Sequence, residues 1–284
     1  MSKSSASTAN QPEPFIVLPT STHTHTLILL HGLGNNGEKF GTELLETGIS
    51  SKGLTFVTAF PGTKFIFPNA RKRRSSAFRR AVINQWFDIA SVEDPAHRRD
   101  TQVEGLGESA EHVRSIIAAE LETIPKENIV LGGLSQGCAM SLAVLLSLEC
   151  PLGGYFGMSG WLPFREDIVD VVAPVGEEDD PFADEGEDGE VLEPALMAVS
   201  LVRDILSVDS GAPSKERTSL TTPVLLCHGE DDEKVKCNLG KEASQCLFSL
   251  GMPVTWKCYP GLGHWYKIPD EIDDIFEFLE AKLS

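Results

Sequence analysis

The chain has 284 residues, of which 41% are hydrophobic and 23% charged, a balance that suits one large α/β domain of a soluble globular protein. Its formal net charge of −18 argues against nucleic acid as a partner and against docking on anionic lipid by general attraction. Nowhere do 18 apolar residues follow one another, so stable membrane insertion is not expected either.

The opening stretch MSKSSASTANQPEP is polar and lacks the apolar core of a secretory signal, and Ser2 stands where myristoylation needs glycine. Residues 1–20 are expected to form a disordered tail and 21–284 a single domain. TLILL (26–30) reads as a buried strand leading into HGLGNNG (31–37), whose glycines let the backbone come close to a bound oxygen. A phosphate-binding reading of that loop is set aside, because the lysine and spacing of a P-loop are missing. TFVTAF (55–60) reads as the next strand. ARKRRSSAFRR (70–80), with six Arg or Lys, reads as solvated surface. Val113, Ile116, Ile117 and Leu121 share one helical face, and NIVLGGL (128–134) reads as a strand followed by the helical run CAMSLAVLLSL (138–148).

GYFGMSG (154–160) is a further strand. The stretch from about 165 to 220, rich in acids, Pro and Gly, reads as an insertion between two core strands. Within it, residues 174–193 carry ten acids and no base, too little apolar surface to fold alone, and are expected to be a mobile loop. A sharper reading has this segment and the basic one attracting each other across the site mouth, or the basic one meeting an acidic protein. PVLLCHG (223–229) and VTWKCYP (254–260) are the last strands, separated by the helical face of Leu239, Ala243, Cys246, Leu247 and Leu250. Ile272, Ile275, Phe276, Leu279 and Leu283 mark the final helix. Strands apolar on both faces that alternate with helices predict a mostly parallel central sheet flanked by helices on both faces, with its site at the carboxyl ends of the strands. The cysteines at 138, 150, 227, 237, 246 and 258 show no CxxC spacing and read as reduced thiols of a cytoplasmic protein, a nuclear location being compatible; no metal site is expected.

Ser135 lies between Gly133 and Gly137 at a strand-to-helix junction, the setting a nucleophile elbow requires. A plain helix start with Ser135 as N-cap is the bland alternative. A serine hydroxyl is a weak nucleophile and needs a base held by an acid. Downstream of Ser135 stand only His228 and His264. The glycine-flanked loop YPGLGHWY favours His264 as base, leaving His228 as a structural histidine. Glu230, Asp231, Asp232 and Glu233 all qualify as the acid by spacing. Two backbone N–H groups are needed for an oxyanion, and Gln136, after the serine, and Leu33, in the HGLGNNG loop, supply candidates.

The stretches LILLHGLGNNG, FIFPNA, NQWFDI, IVLGGLSQGCAMSL, GMSGWLP, LLCHGEDDEKV and YPGLGHWY, in that order, cover most of residues 25–284. In them the chain resembles the acyl-protein thioesterase family, also described as phospholipase/carboxylesterase, of the α/β-hydrolase superfamily. The resemblance implies an α/β-hydrolase fold carrying an acidic insertion, with Ser135 as nucleophile, Asp232 (the last residue of HGxxD) as acid and His264 as base. It likewise implies Leu33 and Gln136 as oxyanion donors, and Trp86 and Phe87 of NQWFDI near the acyl site, with core packing as their alternative. The activity implied is cleavage of acyl thioesters such as S-palmitoyl cysteine on proteins, or of small acyl esters, without cofactor or metal. The chain departs from the family pattern at Cys138, where a second glycine is common, at EKV (233–235), where Pro-x-Val is common, and in the acidic insertion.

Overall fold

The computed structural model describes residues 11–173 and 193–282. Its frame is a seven-stranded sheet in the order β1-β3-β2-β6-β7-β8-β9. The strands are β1 (Phe15–Val17), β2 (His25–Leu30), β3 (Thr63–Phe67), β6 (Ile129–Leu134), β7 (Gly154–Met158), β8 (Val224–Gly229) and β9 (Val254–Tyr259). All neighbours run parallel except β1, which is antiparallel to β3. A separate antiparallel hairpin joins β4 (Lys72–Arg74) to β5 (Val82–Asn84).

The helices are α1 (Gly37–Thr47), α2 (Phe56–Ala59), α3 (Val103–Leu121), α4 (Gln136–Ser147), α5 (Arg165–Val172), α6 (Pro194–Ile205), α7 (Cys237–Ser249) and α8 (Asp270–Lys282). Side chains alternate across β2, so Ile28 and Leu30 join the layer of α3, α4 and α7 with Val113, Leu142 and Leu247. Leu27 and Leu29 join the opposite layer of α1 and α8 with Phe40 and Ile275. This two-sided burial is why the strands read as continuous apolar runs. Among the described residues no helix is long and apolar enough to cross a membrane.

Several expectations are corrected. TFVTAF is a helical turn rather than a strand: Thr55 caps it, its hydroxyl accepting from the Thr58 N–H while the Thr58 hydroxyl accepts from the Thr55 N–H. The strand of that region is TKFIF, eight residues on. The expected tail is ordered in part, since Phe15–Val17 pairs with Phe65–Phe67 and closes the β3 edge; residues 1–10 lie outside the described residues. Within the expected insertion, α6 follows the acidic run and buries Leu196, Ala198, Val199 and Val202. That apolar stripe fills the space beside α4 and makes this stretch part of the core. Residues 174–192 of the acidic run lie outside the described residues. The basic segment forms the β4–β5 hairpin, and Arg73 pairs with Glu108 of α3 at 2.6 Å.

Candidate active site

Ser135 stands between the end of β6 and the start of α4 with φ 58° and ψ −123°, a conformation that only tight surroundings impose on a residue with a side chain. Those surroundings are backbone. A Cβ on Gly137 would collide with the Leu30 carbonyl, and one on Gly133 would lie 2.6 Å from the Gly137 carbonyl carbon. The Ser135 N–H donates to Met158 O at 2.9 Å, tying the turn to β7. The N-cap alternative does not describe this serine: its side chain makes no capping hydrogen bond to α4. Cys138 is accommodated because Gly157 and Gly160 leave it room; a Cβ on Gly157 would lie 2.6 Å from the Cys138 sulfur. Burial pushes the Cys138 thiol up to about 12, so it is an apolar filler at neutral pH.

Ser135 Oγ lies 2.8 Å from His264 Nε2, and His264 Nδ1 lies 2.7 Å from Asp232 Oδ2. Of the four neighbouring acids, Asp232 alone is buried; Glu230, Asp231 and Glu233 face solvent. Its Oδ1 accepts the N–H groups of Lys234 and Val235, each at 2.9 Å. Burial alone would raise the Asp232 pKa. The hydrogen bonds from His228, His264 and the Val235 N–H outweigh it and hold the carboxyl well below the usual range. An ionised Asp232 makes His264 Nδ1 the donor, which leaves Nε2 free to accept the Ser135 hydroxyl proton. The acid loop and the histidine loop are held together by their backbones, with the Asp231 N–H donating to Leu262 O at 3.0 Å. Ser159, not singled out in the sequence, donates from Oγ to the carbonyl of Trp265 at 3.3 Å and steadies the histidine loop.

The loop after β2 passes directly beside the serine: a Cβ on Gly32 would lie 3.4 Å from Ser135 Cβ. Leu33, Gln136, Ser135 and His264 line one cleft of about 380 Å³, whose apolar walls include Ile89, Val92 and Trp161. Trp86 and Phe87 do not line it. Both are fully buried, as the core-packing alternative has it, and stand behind the cleft wall, Phe87 meeting the Trp161 ring edge-on at 6.2 Å. Trp86 instead braces the site: its indole N–H donates to His31 O at 2.8 Å, and its backbone N–H donates to the Gln136 side-chain carbonyl at 3.0 Å. The Gln136 amide also donates to Phe87 O at 2.7 Å. His31 is stapled in turn, accepting the Ala70 N–H at Nε2 and donating from Nδ1 to Gly32 O. Burial lowers its pKa to about 4, so the ring is neutral. Among the described residues no group of three His, Cys, Asp or Glu is placed to hold a metal ion.

A serine held above the carboxyl edge of a parallel sheet, with helices on both faces, defines a hydrolase of the α/β-hydrolase fold. The chain belongs to the phospholipase/carboxylesterase family, whose model matches residues 11–177 and 205–283 and leaves most of α6 unmatched. Acyl-protein thioesterase 1 of Gibberella zeae is 30% identical over 95% of this chain and 95% of its own. The protein of that name from Kluyveromyces lactis is 32% identical over 92% of each. Among solved structures, acyl-protein thioesterase 2 of Zea mays superposes with a TM-score of 0.65 at 27% identity, covering 96% of this chain and 99% of that one.

Proposed function

We propose that the protein is a serine hydrolase that cleaves acyl thioesters, with S-palmitoyl groups on protein cysteines as the substrate class. The observation that carries this reading is the unbroken hydrogen-bonded run from Asp232 through His264 to Ser135 at the wall of an apolar cleft. Ser135 Oγ attacks the thioester carbonyl while His264 Nε2 takes its proton, and Asp232 steadies the imidazolium that forms. The backbone N–H groups of Leu33 and Gln136 receive the developing oxyanion. His264 then protonates the leaving thiol, and water, activated by the same imidazole, releases the fatty acid and restores Ser135. The apolar walls suit a hydrocarbon chain, and the Gibberella and Kluyveromyces relatives are named as thioesterases of acyl-proteins, which supports a protein thioester as substrate.

The test pairs a fluorophosphonate probe with hydrolysis of matched short-chain and palmitoyl thioesters, with Ser135→Ala alongside. Labelling mapped to Ser135 and faster palmitoyl turnover are expected, and Ser135→Ala should lose both while keeping its fold. Turnover confined to short chains would replace this reading with a carboxylesterase of small or medium esters. Substantial activity in clean Ser135→Ala protein would remove Ser135 from the mechanism.

A further inference from the structure

The six cysteines are free thiols, and three of them, Cys138, Cys227 and Cys246, are buried. Two others have been brought together from different elements. Cys237 opens α7 and Cys258 lies near the end of β9, and their sulfurs are 3.2 Å apart. The alternation of β9 makes this contact, because Trp256 and Cys258 both face α7. Trp256 packs at Gly240, where an added Cβ would lie 3.0 Å from its ring. β9 is the last strand of the sheet, and Cys258 is exposed on it, while Cys237 is half-buried. Two thiols alone do not make a tetrahedral metal site, and no third ligand joins them among the described residues.

We propose that Cys237 and Cys258 are a reversible modification site, at which a two-electron oxidant of the peroxide class makes an intramolecular disulfide tying the first turn of α7 to β9. Exposed Cys258 meets the oxidant first. Its thiolate attacks one peroxide oxygen, the O–O bond breaks, and a sulfenic acid forms with release of water. Cys237 Sγ then attacks Cys258 Sγ, the S–O bond breaks, and a second water leaves with the thiol proton. The two cysteines lose two electrons and two protons, and the peroxide is reduced to two waters. Closing the sulfurs from 3.2 Å to bonding distance takes a shift of about 1.2 Å, within the reach of small side-chain and backbone adjustments. Burial, the neighbouring sulfur and the carboxylates of Glu230 and Asp232 push the Cys237 thiol up to about 12, which disfavours it as the first thiol to meet the oxidant; its attack on the sulfenic acid rests on the 3.2 Å contact. A thiol reductant restores the pair.

The purified full chain is treated with hydrogen peroxide, its remaining thiols are blocked, and it is digested with trypsin without reduction. Cleavage after Lys236, Lys241, Lys257 and Lys267 releases residues 237–241 and 258–267. These are expected as one linked species, lighter by two hydrogens than the sum of its parts and separated by reductant. Oxidised protein should also melt a few degrees above reduced protein, because the bond closes a loop of about 20 residues in the unfolded chain. Cys237→Ser should abolish the rise and leave Cys258 to oxidise onward to sulfinic acid; Cys258→Ser should leave Cys237 as a thiol. Over-oxidised Cys258 beside free Cys237 in the wild-type chain would overturn the proposal, and so would a link from Cys258 to Cys246. A linked pair with no rise in melting temperature would overturn the stapling role.

Discussion

His228 Nε2 lies 3.2 Å from Asp232 Oδ2, the same oxygen that His264 Nδ1 approaches at 2.7 Å. His228 Nε2 also meets the carbonyl of Val235 at 2.9 Å, and since a carbonyl only accepts, that nitrogen carries the proton. One histidine therefore holds the carboxylate from one side, while the other lies between the carboxylate and Ser135 Oγ.

His228→Phe removes this donor while keeping an aromatic ring beside Trp256. One hydrogen bond to a charged group is worth roughly 1.5–3 kcal/mol, so kcat is expected to fall at least about tenfold. His264→Ala, which removes the proposed base, should cost about 10⁴-fold. Steady-state kinetics on the two variants checks the order; equal losses would place His228 in the chemistry.

Gln136→Leu keeps the backbone N–H but leaves the Trp86 N–H and the Phe87 carbonyl unpaired in a buried site. A loss of about 2 kcal/mol or more in denaturant unfolding is expected. Trp86→Phe instead frees the carbonyl of His31 and loosens the loop that carries Leu33. With that loop loosened, kcat should fall about tenfold while KM stays close to its original value, the pattern of a donor that acts in the transition state.

Glu271 in α8 is buried, and burial raises its carboxyl to about 8 against 4.5 for a free side chain. The folded chain therefore keeps a proton that the unfolded chain releases, and this group's contribution to stability declines as pH rises from about 4.5 to about 8. Glu271→Gln removes that dependence. Thermal melts should coincide with wild type near the bottom of this window and lie several degrees higher for the variant above it. A variant equally or less stable at high pH would contradict the assignment.

Gly137→Ala is expected to prevent folding rather than to slow catalysis, because its Cβ would meet the carbonyl of Leu30 and neither backbone has room to yield. Circular dichroism and soluble yield report this directly. Cys138→Gly, one residue on, should fold with a modest loss of stability: a small buried side chain is removed and a glycine enters the helix, while the Tyr155 hydroxyl keeps the Cys138 carbonyl as its acceptor.

The central strands were legible because each is buried on both sides and bounded by turn residues, and the serine elbow was legible because Gly133 and Gly137 frame it. A short apolar run without alternation fits either period, so Thr55 capping its own turn was hidden inside TFVTAF. β1 is three residues long among prolines, too short to show a pattern. The stripe of Leu196, Val199 and Val202 was masked by the acidic run before it. At the site, spacing left four acids open, and burial singles out Asp232. Nothing in composition announces that Trp86, His31 and Gln136 share one network, or that Cys237 meets Cys258 across 21 positions. Such contacts arise when separate elements dock.

Every residue of α4 is buried, whereas the segments carrying Asp232 and His264 are loops with solvent-facing neighbours. Amide protons along α4 can then exchange with solvent only when the whole domain opens, while those of residues 230–236 and 260–265 are reached by smaller, cheaper fluctuations. The serine is fixed to the most slowly opening part of the molecule and its partners to a faster one. Mild heating should first separate the histidine and acid from a serine that has not moved, and cooling should restore the contact without any refolding of the sheet.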